Sequence, residues 1–357
     1  MTAPFGLYVH IPFCIKRCDY CAFATWTDRG HLEDSYVDAM LVDVQRHLDV
    51  GELPMVTSVF VGGGTPSIIN PKLLVEVLNS FPLRDDAEVT VECNPDTVSL
   101  ELFATYVAGG VNRISFGVQS MVPSVLAALG RTHNPASVER AVHMARDAGI
   151  KRINLDLIYG GAGETIEQWR ETIVETLKLE PDHVSAYALT VEAGTALADD
   201  PSRHPDDDDQ ADKYLIANSM FAEARLTNYE ISNWATPSQE CEHNLLYWRQ
   251  GNYLGVGCAA HSHVDGRRWW NVRTPERYIE RISAGQSPES SSEFLDEEHR
   301  RVEGLQLSLR TREGVPSNSL GESDLEELEG LITRDGDRLQ LTVEGRLLAN
   351  EVAVRLR

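Results

Sequence analysis

Short β-branched or aromatic runs alternate with helix-periodic segments through the first half of the chain, and this alternation restricts the fold more than any other feature. Candidate strands lie at 7–11, 58–61, 89–92, 113–117, 153–158 and 184–189. Between them Val37, Leu41, Val44 and Leu48 recur at four, three and four residues, as Ile166, Trp169, Ile173 and Leu177 do at three, four and four. Helices are also predicted over 71–80, 99–108 and 135–148, the last ending before Gly149. Strands separated by helices of this length pair in parallel, because the crossover helix returns the chain to the same end of the sheet. The expected fold class is therefore α/β, a partial barrel of six βα units, two short of an eightfold barrel.

The rhythm is lost after 190. The acidic, proline-containing stretch 198–212, with Asp206 to Asp209 at its centre, reads as a solvated loop, followed by a helix at 211–225 and a strand at 229–232. Gly, Ser and Pro cluster at 285–292, which places a domain boundary there: a main domain over 1–285 and a small C-terminal one over 293–357. The latter should contain helices at 296–309 and 323–332, a strand at 339–343 and a helix at 344–356, the pattern of a winged-helix-like module. A chain of 357 residues buries enough apolar surface to fold without disulfides. Its net charge of −23 argues against nucleic acid or an anionic membrane surface as a nonspecific partner. The first residues lack the basic-then-apolar layout of a secretory signal, and no run of apolar residues is long enough to span a bilayer, so a cytoplasmic protein with reduced thiols is expected.

Three of the six cysteines, Cys14, Cys18 and Cys21, stand as CxxxCxxC directly after the first candidate strand. Three thiolates leave one position open at a four-coordinate metal, or one iron uncapped on a 4Fe–4S cluster. A Cys₃His zinc site completed by His10 also suits tetrahedral geometry, although no second cysteine pair is present to form the usual knuckles. The spacing favours iron and sulfide. Cys93 and Cys241 read as buried thiols. Working residues of a parallel barrel sit at the C-terminal ends of its strands. Those ends carry the glycine run Gly62 to Gly64 with Thr65, whose lack of side chains would let a ligand approach the backbone. They also carry Glu92, Gln119 and Asp156, with Arg131 in the connection after the fourth strand.

The segment YVHIPFCIKRCDYC, the GGGTP run, SFGVQS and HNLLYW together resemble the radical S-adenosylmethionine (SAM) superfamily. Within it they resemble the branch that holds the oxygen-independent coproporphyrinogen III oxidases and the HemW-like heme chaperones, and the likeness spans nearly the whole chain, including a C-terminal domain of the oxidases' type. The resemblance implies that SAM chelates the open iron, and that the reduced cluster cleaves its sulfonium to a 5′-deoxyadenosyl radical. It implies SAM contacts at Tyr8, Gly63, Gly64, Thr65, Glu92, Gln119, Arg131 and Asp156, with Tyr20 beside the adenine. The run Gly160-Gly161-Ala162-Gly163 departs from the Gly-Leu-Pro-Gly common in the family.

Two features separate the branches. The oxidases carry a further cysteine two residues after the third, where this chain has Phe23, and they have a longer segment ahead of the first strand. Both favour the HemW-like group. His243 in HNLLYW is then the candidate heme ligand, and Cys258, in the resembling stretch 252–262, a second candidate. The implied function is a chaperone that binds a 4Fe–4S cluster, SAM and heme and delivers heme to respiratory hemoproteins. It implies an electron donor protein, and peripheral membrane contact through a recipient. The alternatives are oxidative decarboxylation of coproporphyrinogen III and a zinc-stabilised binding protein without radical chemistry.

Overall fold

A computed structural model of the chain describes residues 3–51 and 53–356. The first half is a run of βα units: β1 (Phe5–Ile11), α1 (Glu33–Asp49), β2 (Val56–Gly63), α2 (Pro71–Asn79), β3 (Leu83–Cys93), α3 (Leu100–Ala108), β4 (Arg113–Gln119), α4 (Pro123–Ala128), α5 (Pro135–Asp147), β5 (Arg152–Tyr159), α6 (Ile166–Leu177) and β6 (His183–Ala188). All six predicted strands form, and each pairs in parallel with the next. Local chemistry sets the helix starts. Asn134 and Ser137 make a capping box ahead of α5 with Pro135 at its first position, and Thr165 and Gln168 do the same for α6.

The second half corrects the sequence reading in several places. Helix α7 (Asp207–Glu223) begins inside the acidic stretch that reads as a loop. Asp206 caps it through the Asp209 amide at 2.9 Å, and the aspartates of its first turn oppose the positive end of the helix dipole. The expected strand at 229–232 is a hairpin of β7 (Thr227–Glu230) and β8 (Asn233–Ala235), with β8 antiparallel to β6. Helix α8 (Glu242–Trp248) then leads to β9 (Asn252–Val256), which returns to the other side of the sheet and pairs in parallel with β1. The antiparallel strands β10 (His261–Val264) and β11 (Arg267–Asn271), helix α9 (Pro275–Ser283) and strand β12 (Glu289–Phe294) complete the sheet. The Ser-rich stretch 285–292 is thus only in part a connector, since its end is the edge strand β12. The order of the twelve strands is β12-β11-β10-β9-β1-β2-β3-β4-β5-β6-β8-β7, with no pairing between the two ends among the described residues. The barrel is open.

Helix α10 (Glu297–Ser308), β13 (Val315–Pro316), α11 (Glu322–Glu327), β14 (Ile332–Asp335), β15 (Arg338–Leu341), α12 (Val343–Leu347) and α13 (Ala349–Arg355) follow. Two expectations change here. The helix expected at 323–332 forms but ends at Glu327, with β14 beginning at Ile332, and the last helix breaks at Leu348. Leu309, Val315, Leu328, Leu339, Val352 and Leu356 form a separate core for this unit. It is joined to the sheet by the Arg312 amide on the Tyr229 carbonyl at 2.8 Å and by ion pairs Arg249–Glu313 and Arg312–Glu240.

One buried charge fixes α7 against α6. Lys213 has no exposed side-chain surface; its Nζ lies 3.2 Å from Glu164 Oε2 and 2.6 Å from Asp209 Oδ2, and it donates to the Glu164 carbonyl at 2.8 Å. Burial nevertheless holds the Glu164 carboxyl above its ordinary value, so the ion pair does not fully offset desolvation. Lys213→Met should therefore cost about 3–5 kcal/mol, measured by urea unfolding, because it strands a buried carboxyl.

Candidate functional site

The cysteine loop leaves the C-terminal end of β1 and folds back on itself. The Cys14 amide donates to the Trp26 carbonyl at 3.0 Å, Trp26 to Pro12 at 2.8 Å and Cys21 to Cys18 at 3.1 Å, while Arg17 holds the Cys21 carbonyl at 3.0 Å. All three thiols are free and half-buried. Among the described residues no three His, Cys, Asp or Glu side chains are already gathered as a metal site, so the loop would have to close around one. The donor set fits iron and sulfide: three soft sulfurs on one loop, with no fourth His, Cys, Asp or Glu gathered with them among the described residues. His10 does not supply it. Its Nε2 lies 3.0 Å from the Ala24 carbonyl and its Nδ1 3.0 Å from the Tyr8 hydroxyl, so both nitrogens of the Cys₃His alternative are engaged.

Two of the residues expected at SAM touch the thiols directly. Thr65 Oγ1 donates to Cys14 Sγ at 3.7 Å, and Arg131 Nη1 to Cys18 Sγ at 3.3 Å. Arg131 is itself held by the Gly117 carbonyl at 2.9 Å. Burial pushes the Cys14 thiol up, which disfavours the bare thiolate until a metal charge compensates it. Tyr20 lies against the same group, packed on the apolar patch of Val125, Leu129 and Leu197.

The glycine run packs closely against β1 and the start of the cysteine loop. Gly63 has φ +109°, and a Cβ there would overlap the His10 imidazole; a Cβ on Gly64 would overlap the Phe13 carbonyl. The Cβ positions of these glycines are thus taken by His10 of β1 and by the Phe13 carbonyl at the start of the cysteine loop. Their amides zip the loop to β2: Gly64 donates to Ile11 and Thr65 to Phe13, both at 2.8 Å. Gly63 donates to Glu92 Oε2 at 3.3 Å.

Glu92 and Asp156 face each other across the strand ends. Asp156 accepts from Ser115 at 2.6 Å and from Asn154 at 2.8 Å. Glu92 is pushed up to about 8, first by burial and then by the Asp156 charge, with the Gly63 amide a partial offset. A cation placed between them would relieve that cost. Gln119 ends β4 in a left-handed conformation at φ 65°, and its amide nitrogen lies beside Gly117.

His243 is not placed to bind an iron. It packs in register with Gly6 and Ser58, near the N-terminal ends of β1 and β2, whereas the cysteine loop leaves the opposite end. Its Nδ1 lies 3.0 Å from Ser58 Oγ, its Nε2 2.8 Å from Tyr247 Oη, and its amide donates to Glu88 Oε1 at 3.1 Å. It is 1% exposed, stacks on Phe60, and is driven down to about 4 by burial. The motif's helix plugs the sheet, and this histidine positions Tyr247. Cys258 is equally sealed: it is wholly buried against the Tyr36 hydroxyl, and burial pushes its thiol up to about 12.

A cavity of about 790 Å³ opens beside the cysteine loop, walled by Ala22 to Ala24, Tyr8, Tyr247, Tyr253 and Trp270. Its far wall is built by β9 to β11. Sequence periodicity gives no signal for these short strands, so it does not show which residues wall the opening of a barrel left open on one side.

Residues 8–175 match the radical SAM superfamily model. Over 98% of this chain and 94% of its own length, the heme chaperone HemW of Mycobacterium tuberculosis is 40% identical, and that of Escherichia coli is 34% identical over 98% and 97%. The chain belongs to the HemW family. A solved structure of the Escherichia coli coproporphyrinogen III oxidase superposes with a TM-score of 0.86 over 99% of this chain and 90% of its own. At 22% identity that likeness shows the shared radical SAM α/β fold. In this HemW family member the glycine contacts give a direct test. Gly64→Ala should cost about 1–3 kcal/mol by forcing the loop off β2, lowering iron and sulfide uptake while the far-UV spectrum is kept.

Proposed function

We propose that this HemW family member is a heme chaperone that holds a 4Fe–4S cluster on Cys14, Cys18 and Cys21, binds SAM beside it, and passes heme to hemoproteins, respiratory ones among them. The observation that carries the reading is the near full-length identity of 40% and 34% to relatives named as heme chaperones. Phe23, 66% exposed where the oxidases carry a further cysteine, agrees with it. When bound, the cluster would supply an uncapped iron for SAM and a one-electron reductant. Thr65 and Arg131 would steady the Cys14 and Cys18 thiolates through the hydrogen bonds they already make. Tyr8, Tyr20, Gly63, Gly64, Gln119 and Asp156 complete the proposed SAM surroundings, the two glycines by joining the loop to β2. Among the described residues no helix is long and apolar enough to cross a membrane, and we place the protein in the cytoplasm with an electron donor protein and its heme recipients as partners.

SAM brings a positively charged sulfonium towards a pair of carboxylates in which Asp156 already feels the Arg113 charge, whereas Glu92 is held up by burial and by Asp156. Glu92, at about 8 without the ligand, must be ionised to receive that charge, so SAM affinity should fall about tenfold per pH unit below that value and level off above it. Calorimetry at pH 6.5 and 8.5 reads this, and Glu92→Gln should abolish the dependence. For the function itself, the cluster-loaded protein is given SAM, reductant and coproporphyrinogen III, and separately hemin. Hemin binding without protoporphyrinogen formation supports the chaperone, whereas protoporphyrinogen would establish the decarboxylase instead.

A further inference from the structure

Three histidines line the cavity beside the cysteine loop, and they differ in what their rings are doing. His10 has both nitrogens engaged, by Tyr8 and Ala24. His263 has its Nδ1 2.9 Å from the Gly251 carbonyl and accepts from the Gly266 amide through Nε2 at 3.2 Å. His261 makes no hydrogen bond among the described residues and is exposed. Its orientation is nevertheless fixed: it pairs across β10 and β11 with Trp270, and the rings stack at 5.7 Å and 24°. Such a ring keeps a lone pair available while having little freedom left to lose on coordination.

The cations of the cavity divide in the same way. Arg268 is consumed by Glu303 and Glu293. Arg273 is exposed and makes no ion pair among the described residues. On a chain of net charge −23, a dianionic ligand needs such a guanidinium. The remaining walls supply flat aromatic surface from Tyr247, Tyr253 and Trp270, and the volume lies in the range of pockets that enclose large planar ligands.

We propose that this cavity seats the heme cargo, with His261 as the axial ligand to its iron and Arg273 pairing with a propionate. The inference rests on the chaperone reading and adds a location to it. His243, the residue of the HNLLYW motif, contributes only by fixing the Tyr247 hydroxyl on the cavity wall.

The test uses the full chain, reconstituted anaerobically with its cluster, and hemin as the probe. The parent should bind hemin with the absorption and resonance Raman signature of histidine-ligated ferric heme. His261→Ala should keep the cluster absorption, lose that signature and bind hemin about tenfold more weakly or worse, and added 1-methylimidazole should restore the signature. Arg273→Gln should weaken binding about three- to tenfold with the signature unchanged, an effect absent for hemin dimethyl ester, which has no free carboxylate. If His261→Ala binds hemin as the parent does, with the same signature, the assignment is overturned while the chaperone reading stands. If the cluster-loaded parent takes up no hemin, the chaperone reading falls and this assignment with it.

Discussion

The site depends on one backbone-to-backbone contact. The cysteine loop lies against the end of β2 where Gly63 and Gly64 leave room for His10 and for the Phe13 carbonyl, and the amides of Gly64 and Thr65 bond to Ile11 and Phe13. A side chain at either glycine would separate loop from strand. The same contact carries Thr65 to Cys14 and sets the Gly63 amide on Glu92, so the thiols and the carboxylate pair share one rigid reference. A loop of three half-buried thiols gains a defined geometry from the parallel sheet beneath it.

The open sheet serves a second purpose. A closed barrel would place a strand partner at each edge, whereas here β9 pairs with β1 and the chain continues as antiparallel β10, β11 and β12. That extension builds a wall beside the cysteine loop, and between them lies a cavity of about 790 Å³. The bottom of the sheet is closed differently, by α8, whose His243 bonds to Ser58 and Tyr247 and whose amide meets Glu88. The Glu88 carboxyl stays ionised there because Arg113 and Arg152 outweigh its burial. The plug thus closes one end of the sheet, while the cavity opens beside the cysteine loop.

What could be read in the sequence follows from how local each signal is. The six parallel strands announce themselves because each is a short buried run between amphipathic helices, and the cysteine spacing needs no tertiary knowledge. Helix α7 was obscured because four aspartates read as a solvated run, when their charge suits a helix N-terminus and Asp209 meets the buried Lys213. His243 misled because a histidine within a motif says nothing of which face it occupies; burial and two hydrogen bonds make it structural. His261 carried no comparable signal, since its exposure beside Trp270 arises from the pairing of two strands too short to show a period. The glycine run could be placed at a strand end, but not its packing on His10 and the Phe13 carbonyl, because sequence shows that a Cβ is absent and not what lies in its direction.

The central claim, a three-cysteine cluster with one iron open to SAM, is tested most directly by electron paramagnetic resonance of the anaerobically reconstituted, dithionite-reduced chain. The account predicts the signal of a reduced 4Fe–4S cluster whose g-values shift when SAM is added, with both signal and shift lost in Cys18→Ala. A chain that retains zinc and no sulfide, or a cluster whose signal does not respond to SAM, would contradict it.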